Sequence, residues 1–277
     1  MNSLDDKTHF DTFGFVIKRK MFSDDEMAQF SDWFIQGFER LRGGPYQEGD
    51  YDIVQPAIGL HEGFGGYFAD PRVHDTLERL LGEGYQALGS DAQQYCRGTP
   101  WHRDTIISMQ PAEAKPFVML KVAMYLDDLS EGQGSLWIVP GSHHPGSFYD
   151  SLDALLNDGR SGRERPPQEI PGAIDTRTRP GDVIFFNQHA YHATFGGDAG
   201  RRIFSMTFSQ KPVEDWHLEW FDHHAKQNAE AQGRPLTGRI PAYITKHPSP
   251  LVQQCISLLI ERLGEPDPDW SASMYHP

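Results

Sequence analysis

Apolar residues recur at helical spacing near both ends of this chain and at strand-like spacing through its middle. Ser23 followed by Glu26 has the form of a capping box, and Met27, Phe30, Phe34, Phe38 and Leu41 then share one face, predicting an amphipathic helix over 24–41. Val73, Leu77, Leu80 and Leu81 predict a second helix that stops at Gly82, and Leu251 to Leu263 a third that ends at Gly264. Between them lie short β-rich runs at 93–97, 117–126, 135–139, 183–186 and 202–208, separated by Gly, Pro and Asp clusters. Helices, then strands, then helices is not the alternation of a doubly wound sheet. It predicts a mainly β sandwich or barrel braced by helices. The polar, Gly-, Arg- and Pro-rich stretch 150–169 reads as a long inserted loop and a candidate lid.

Composition narrows the function. Glycine adds to 38% hydrophobic residues an ordinary globular content, enough for a real core in 277 residues. A net charge of −14 repels phosphate backbones and anionic membranes, so nucleic acid and membrane are not expected partners. Cys96 and Cys255 are too few for a disulfide framework, and no CxxC spacing suggests zinc. There is no basic-then-apolar leader pattern and no run of about 20 apolar residues. A cytoplasmic protein acting on a small molecule is the expectation; the oligomeric state stays open.

Three segments carry candidate chemistry. In WHRD at 101–104, His102 and Asp104 lie two apart, so on an extended segment both point to one side. Following the Gly181-Asp182 turn, an apolar strand leads to His189 and His192. Two histidines and one carboxylate leave three positions open on an octahedral ion, the facial arrangement suited to non-haem Fe(II) and O₂. Arg201 and Arg202 open the next run, where a guanidinium fork would suit a carboxylate. Other signals are discounted: HRD at 102–104 lacks the rest of a kinase's motifs, and Gly63 to Gly66 lacks dinucleotide-binding spacing. The pairs His143-His144 and His223-His224 read as structural or solvated.

Together with YLDDLSEGQGSLWIVPGSH at 125–143 and GDVIFFNQHAYHATFGGDAGRRIFSMTF at 181–208, the WHRD segment resembles the phytanoyl-CoA dioxygenase-like family of Fe(II)/2-oxoglutarate-dependent oxygenases. The resemblance implies a double-stranded β-helix (a jelly-roll, cupin-like core) with flanking helices. It implies one domain over 1–277: a helical region at about 1–90, a core at about 91–212 and a helical extension at about 213–277. It assigns His102, Asp104 and His192 as iron ligands, and Arg201 and Thr194 to the distal carboxylate of 2-oxoglutarate. A loop shorter than the family's leaves Arg202 as the alternative anchor.

The implied cofactors are Fe(II), 2-oxoglutarate and O₂, and the implied reaction yields succinate and CO₂ while oxidising an unactivated C–H bond. Asp104 keeps the carboxylate that related halogenases lack, which favours hydroxylation. Tyr95, Arg97, Lys121 and Tyr125 are candidate substrate residues, and the basic pair hints at an anionic or zwitterionic metabolite. Segments 55–67 and 144–169 are candidate covers. A metal-dependent hydrolase or isomerase on a similar barrel, or a non-catalytic binding protein, are the rival readings.

Overall fold

The computed structural model describes residues 3–95, 97–104, 114–197, 200–231, 242–264 and 275–276. In chain order the elements are α1 (Ser3–Phe13), β1 (Phe15–Lys18), α2 (Asp24–Arg42), β2 (Asp52–Val54), α3 (Gly63–Phe68), α4 (Pro71–Leu81), β3 (Gln86–Tyr95) and β4 (Thr99–His102). Next come β5 (Met119–Tyr125), β6 (Leu136–Ile138), α5 (Ser147–Leu156), α6 (Gly159–Arg163), β7 (Ile174–Asp175), β8 (Val183–Asn187), β9 (His192–Thr194) and β10 (Arg201–Ser209). The chain closes with α7 (Asp215–Ala231), α8 (Ala242–Thr245), α9 (Pro250–Leu263) and β11 (Tyr275–His276).

Two antiparallel sheets face each other, one ordered β1-β8-β5-β10-β3-β2-β11 and the other β4-β9-β6-β7. This is the jelly-roll core that the family resemblance implies. Alternation along the strands divides the large sheet into two faces. Phe204, Met206 and Phe208 of β10, with Val122 and Met124 of β5, pack outward against the helices. Ala123, Tyr125, Ile184 and Phe186 face inward with Leu136 and Ile138 of the small sheet.

The long helix forms as its pattern predicts. Ser23 Oγ accepts from Glu26 N, the Glu26 carboxylate accepts from Ser23 N at 2.7 Å, and Gly43 ends the helix in a left-handed conformation at φ 80°. Its buried Phe30, Phe34 and Phe38 lie in one aromatic core with Phe64, Tyr67 and Phe204. Fully burying each such ring contributes about 1.5–3 kcal/mol.

Several expectations need correction. The region 1–90 is not purely helical: β1 and β2 both join the large sheet. Strand β3 begins at Gln86 rather than 93, because its inward positions carry polar residues such as Asp91 and Gln93, which hide the alternation. Cys96, at the far end of that predicted run, lies outside the described residues. Residues 150–169 are not a bare loop. The α5 residues Leu152 and Leu156 are buried against Trp101, Val139 and Ile170, and the polar stretch after them masks this spacing. Residues 55–67 are not a cover: Ala57, Leu60, Phe64 and Tyr67 lie in the core, 2% exposed or less.

Candidate active site

Strand pairing creates the site. His102 at the end of β4 is the direct cross-strand partner of His192 on β9, so their rings lie 4.2 Å apart between centroids. Asp104 follows two residues after His102, and its N–H donates to Gln188 O at 3.1 Å, which holds it beside both histidines. Asp104 Oδ1 is 3.4 Å from His102 Nε2 and 3.5 Å from His192 Nε2. One ligand atom from each residue falls within 4.8 Å of the other two. His189 is not part of this group; its backbone N–H donates to Asn187 Oδ1 and its ring influences His143.

Both imidazoles turn Nδ1 to a backbone carbonyl. His102 Nδ1 lies 2.8 Å from Pro100 O and His192 Nδ1 3.0 Å from Ala190 O. A carbonyl can only accept, so each Nδ1 carries a proton, and in a neutral ring Nε2 is left to ligate on the side of Asp104. Burial and the adjacent His102 lower the pKa of His192, which favours the neutral, ligating form. Burial alone would raise the Asp104 carboxyl, but the Lys121 ammonium 2.9 Å from Oδ2 holds it well below the usual carboxylate range. Two imidazoles and an ionised carboxylate are a donor set that fits a divalent ion.

A cavity of about 180 Å³ opens from this triad between the sheets, bordered by Tyr51, Asp91, Gln93, Tyr95, Lys121 and Tyr125 among others. Of the predicted substrate residues, Tyr95, Lys121 and Tyr125 line it. Arg97 does not: its side chain is exposed, while its carbonyl accepts from Arg201 Nη2 at 3.0 Å. The ammonium of Lys121 sits between Asp104 and Asp91, 3.9 Å from the latter, so it is an internal counter-ion. Asp91 also accepts from Ser205 Oγ at 2.5 Å and Gln93 Nε2 at 2.8 Å. Sequence reasoning missed Tyr51, Asp91 and Gln93; the inward parity of Tyr95 along one strand would have pointed to Gln93 and Asp91.

Arg201 and Arg202 go to opposite faces, as their adjacency on β10 requires. Arg202 pairs with Asp127 at 2.6 Å and donates to Ser31 on α2, away from the cavity. Arg201 is buried against the Tyr95 ring, 4.6 Å from its centroid, and donates to Thr194 Oγ1 at 3.3 Å. Thr194 and Tyr95 both line the triad cavity, whereas Arg201, in contact with both, lines a separate cleft beside Asp127, Asp128 and Glu131. The turn glycines Gly134 and Gly197, at φ 76° and 112°, give the guanidinium its place: a Cβ on either would meet Nη1 at 2.5 or 3.0 Å. Arg201 Nε is buried without a hydrogen-bond partner. An unused donor beside Thr194 suits a carboxylate.

The distinctive turn motifs also support the triad. Gly181 takes φ 93°, and Asp182 accepts from Arg179 N and Lys20 N, fixing the launch of β8. In the 140–143 turn Ser142 Oγ accepts from Tyr191 N at 2.8 Å, anchoring the residue before His192. The His143 and His144 rings lie 3.8 Å apart, tilted by 39°, and both approach Asp11 O through Nε2, a structural role at the end of α1. His223 is exposed on α7, and the side chain of His224 lies outside the described residues.

Comparison with known proteins follows the same lines. The family model described as phytanoyl-CoA dioxygenase (PhyH) matches residues 10–203. A comparison with curated proteins finds no match. Among solved structures, HygX from Streptomyces hygroscopicus with nickel and 2-oxoglutarate bound superposes at TM-score 0.57 and 17% identity, over 74% of this chain and 86% of that one. The α-ketoglutarate-dependent carbocyclase SnoK from nogalamycin biosynthesis gives 0.55 and 19%, over 78% and 89%. The epimerase SnoN from the same biosynthesis gives 0.53 and 17%, over 75% and 82%. At these identities the likeness concerns the fold. Among the described residues no helix is long and apolar enough to cross a membrane.

Proposed function

The chain belongs to the phytanoyl-CoA dioxygenase family, and from that premise we propose that it is a non-haem Fe(II)- and 2-oxoglutarate-dependent dioxygenase that hydroxylates a small molecule. The observation that carries this reading is the triad: His102, Asp104 and His192 converge within 4.8 Å with both Nε2 atoms turned toward Asp104. These three residues would hold the iron, and HygX, which shares the fold, is a protein crystallised with a metal and 2-oxoglutarate. With both bound, the centre supplies oxidation of an unactivated C–H bond, coupled to cleavage of 2-oxoglutarate by O₂ into succinate and CO₂.

The protein's own groups do the rest. Arg201 Nε, with Thr194 beside it, binds the distal carboxylate of 2-oxoglutarate, and the Tyr95 ring keeps the guanidinium in its plane. Asp104, ionised beside Lys121, is a carboxylate in the position a halide would need; hydroxylation rather than halogenation is the expected outcome. Tyr51, Gln93 and Tyr125 border the space left for substrate. The expectation of an anionic substrate loses its support, since Arg97 lies outside the cavity and Lys121 is already paired. Tyr51 is 40% exposed and stacks edge-on to Tyr95 at 5.4 Å, placing the mouth of the cavity on that side.

The test is anaerobic addition of Fe(II) and 2-oxoglutarate. A visible metal-to-ligand charge-transfer band, and succinate release once O₂ is admitted, are expected. Absence of both, or substrate turnover independent of O₂, would overturn the reading in favour of hydrolytic metal chemistry or simple binding.

A further inference from the structure

The two ligand-bearing segments lie 88 residues apart in sequence, at 104 and 192, and one helix outside the cavity is bonded to both. Arg103 stands between two ligands, and a residue between two inward-facing neighbours on extended chain must point outward. Its guanidinium lies between the rings of Tyr149 on α5 and Tyr191, 4.8 Å from each centroid. Arg103 Nη2 donates to Asp153 Oδ1 on α5 at 2.7 Å, and Nη1 donates to Tyr149 Oη. The same Asp153 oxygen accepts from Tyr191 Oη at 2.6 Å, and Asn157 at the end of α5 donates to Tyr191 Oη at 3.4 Å.

Tyr191 immediately precedes His192, as Arg103 immediately follows His102. One carboxylate on α5 therefore bonds to the neighbours of two ligands. Apolar packing reinforces the contact: fully buried Trp101, next to His102, packs with Leu152 and Leu156 and donates Nε1 to Arg165 O at 2.9 Å. Among the described residues none of α5 or α6 borders the cavity.

We propose that the α5–α6 insert is a strut for the metal centre and that Arg103 is its positioning residue, joining both ligand segments to Asp153. This rests on the triad being a metal site. Arg103 is not a substrate group; its aromatic sandwich and ion pair act through the backbone of the residues it separates. The physical claim is reciprocal, as coupling between two sites must be. An ordered insert raises metal affinity, and a bound metal stabilises the insert although no atom of it touches the ion.

Calorimetric titration with Ni(II), which is redox-inert here, and hydrogen exchange of residues 147–163 with and without Ni(II) test both directions. In the wild-type protein Ni(II) should slow exchange across 147–163. Arg103→Met should weaken Ni(II) binding about 10- to 100-fold, the range for groups that orient metal ligands, and Arg103→Lys, which keeps the pair with Asp153, should recover part of it. Arg72→Met, which breaks an exposed pair with Glu26 and Asp70 remote from the insert, is the control and should leave affinity unchanged. Ni(II) binding to the wild type without protection of 147–163 would overturn this inference alone, and so would wild-type affinity in Arg103→Met. Should Arg103→Met fail to fold, the exchange measurement on the wild type still decides. No Ni(II) binding by the wild type would overturn the metal reading, and the strut with it.

Discussion

Lys121→Met removes an ammonium that lies 2.9 Å from Asp104 Oδ2 and 3.9 Å from Asp91 Oδ2 and puts an uncharged chain of similar length in its place. At 2.9 Å and an effective dielectric near 20, the Coulomb attraction of the first pair is about 6 kcal/mol before desolvation is counted. Stripping one partner from a buried pair costs about 3–5 kcal/mol net, because the other charge is left behind. For a chain of this size each kcal/mol lowers the melting temperature by about 2–4 °C, so the metal-free variant should melt on the order of 10 °C lower. A divalent ion at His102, Asp104 and His192 brings positive charge back beside Asp104. It also no longer meets a like charge across the cavity. Ni(II) should therefore raise the melting temperature of Lys121→Met more than that of the wild type, and bind it at least as tightly. Anaerobic thermal melts with and without Ni(II), with calorimetry for affinity, provide the measurement. An equal melting deficit with and without metal, or weaker Ni(II) binding in the variant, would refute the reasoning, since either result means that Lys121 is not the counter-ion of Asp104.

Arg201→Lys should weaken 2-oxoglutarate binding roughly 10- to 100-fold, the equivalent of one charge-assisted hydrogen bond of about 1.5–3 kcal/mol, while leaving Ni(II) affinity intact; titration of Arg202→Lys should show 2-oxoglutarate binding unchanged. A loss confined to Arg202→Lys would move the anchor to the other face of β10. His192→Ala should abolish metal binding and His189→Ala should not, measured by the same calorimetry; the reverse pattern would reassign the third ligand. Burial and the neighbouring His144 push the His143 pKa down to about 4 from 6.5. The unfolded chain then binds more protons than the folded one between those values, so stability is full above pH 6.5 and is lost as pH falls toward 4. His143→Gln should flatten the decline of melting temperature across that window, and an unchanged slope would show that His143 does not set it.

The proposed ligand residues were legible because the chemistry compresses them into short contiguous patterns. His102 and Asp104 share a face by strand parity, and the Gly181-Asp182 turn fixes where the next strand starts. The faces of β10 were equally readable, since Phe204, Met206 and Phe208 alternate strictly with Ser205 and Thr207. Strand β3 was not, because a strand whose inner face lines a polar cavity loses the contrast on which alternation depends: Asp91 and Gln93 look like loop residues until the second sheet covers them. The α5 helix was obscured for a related reason. Its apolar positions Leu152, Leu155 and Leu156 occupy little more than one turn before Gly, Arg and Pro dominate, so a window average sees only polarity.

The roles of the basic residues show where composition misleads. Arg97 and Lys121 were open to one interpretation, a positive pocket for an anionic substrate, and Arg201 to another, the anchor of 2-oxoglutarate. Folding separates them into three functions: Arg97 turns outward, Lys121 neutralises Asp104, and Arg201 is gripped by Thr194 and two turn glycines with its Nε left over. A lysine's role depends on which carboxylate lies within about 4 Å of it, and that distance is set by pairings such as Lys121 opposite Thr207 and His102 opposite His192. The first joins β5 to β10 across 86 positions and the second joins β4 to β9 across 90, far beyond the reach of any local pattern. Parity alone, however, already says that Arg103 and Tyr191, each adjacent to a ligand, must turn away from the cavity. What it leaves out is that both meet the same aspartate of α5, and that meeting is what joins the back of the site to its chemistry.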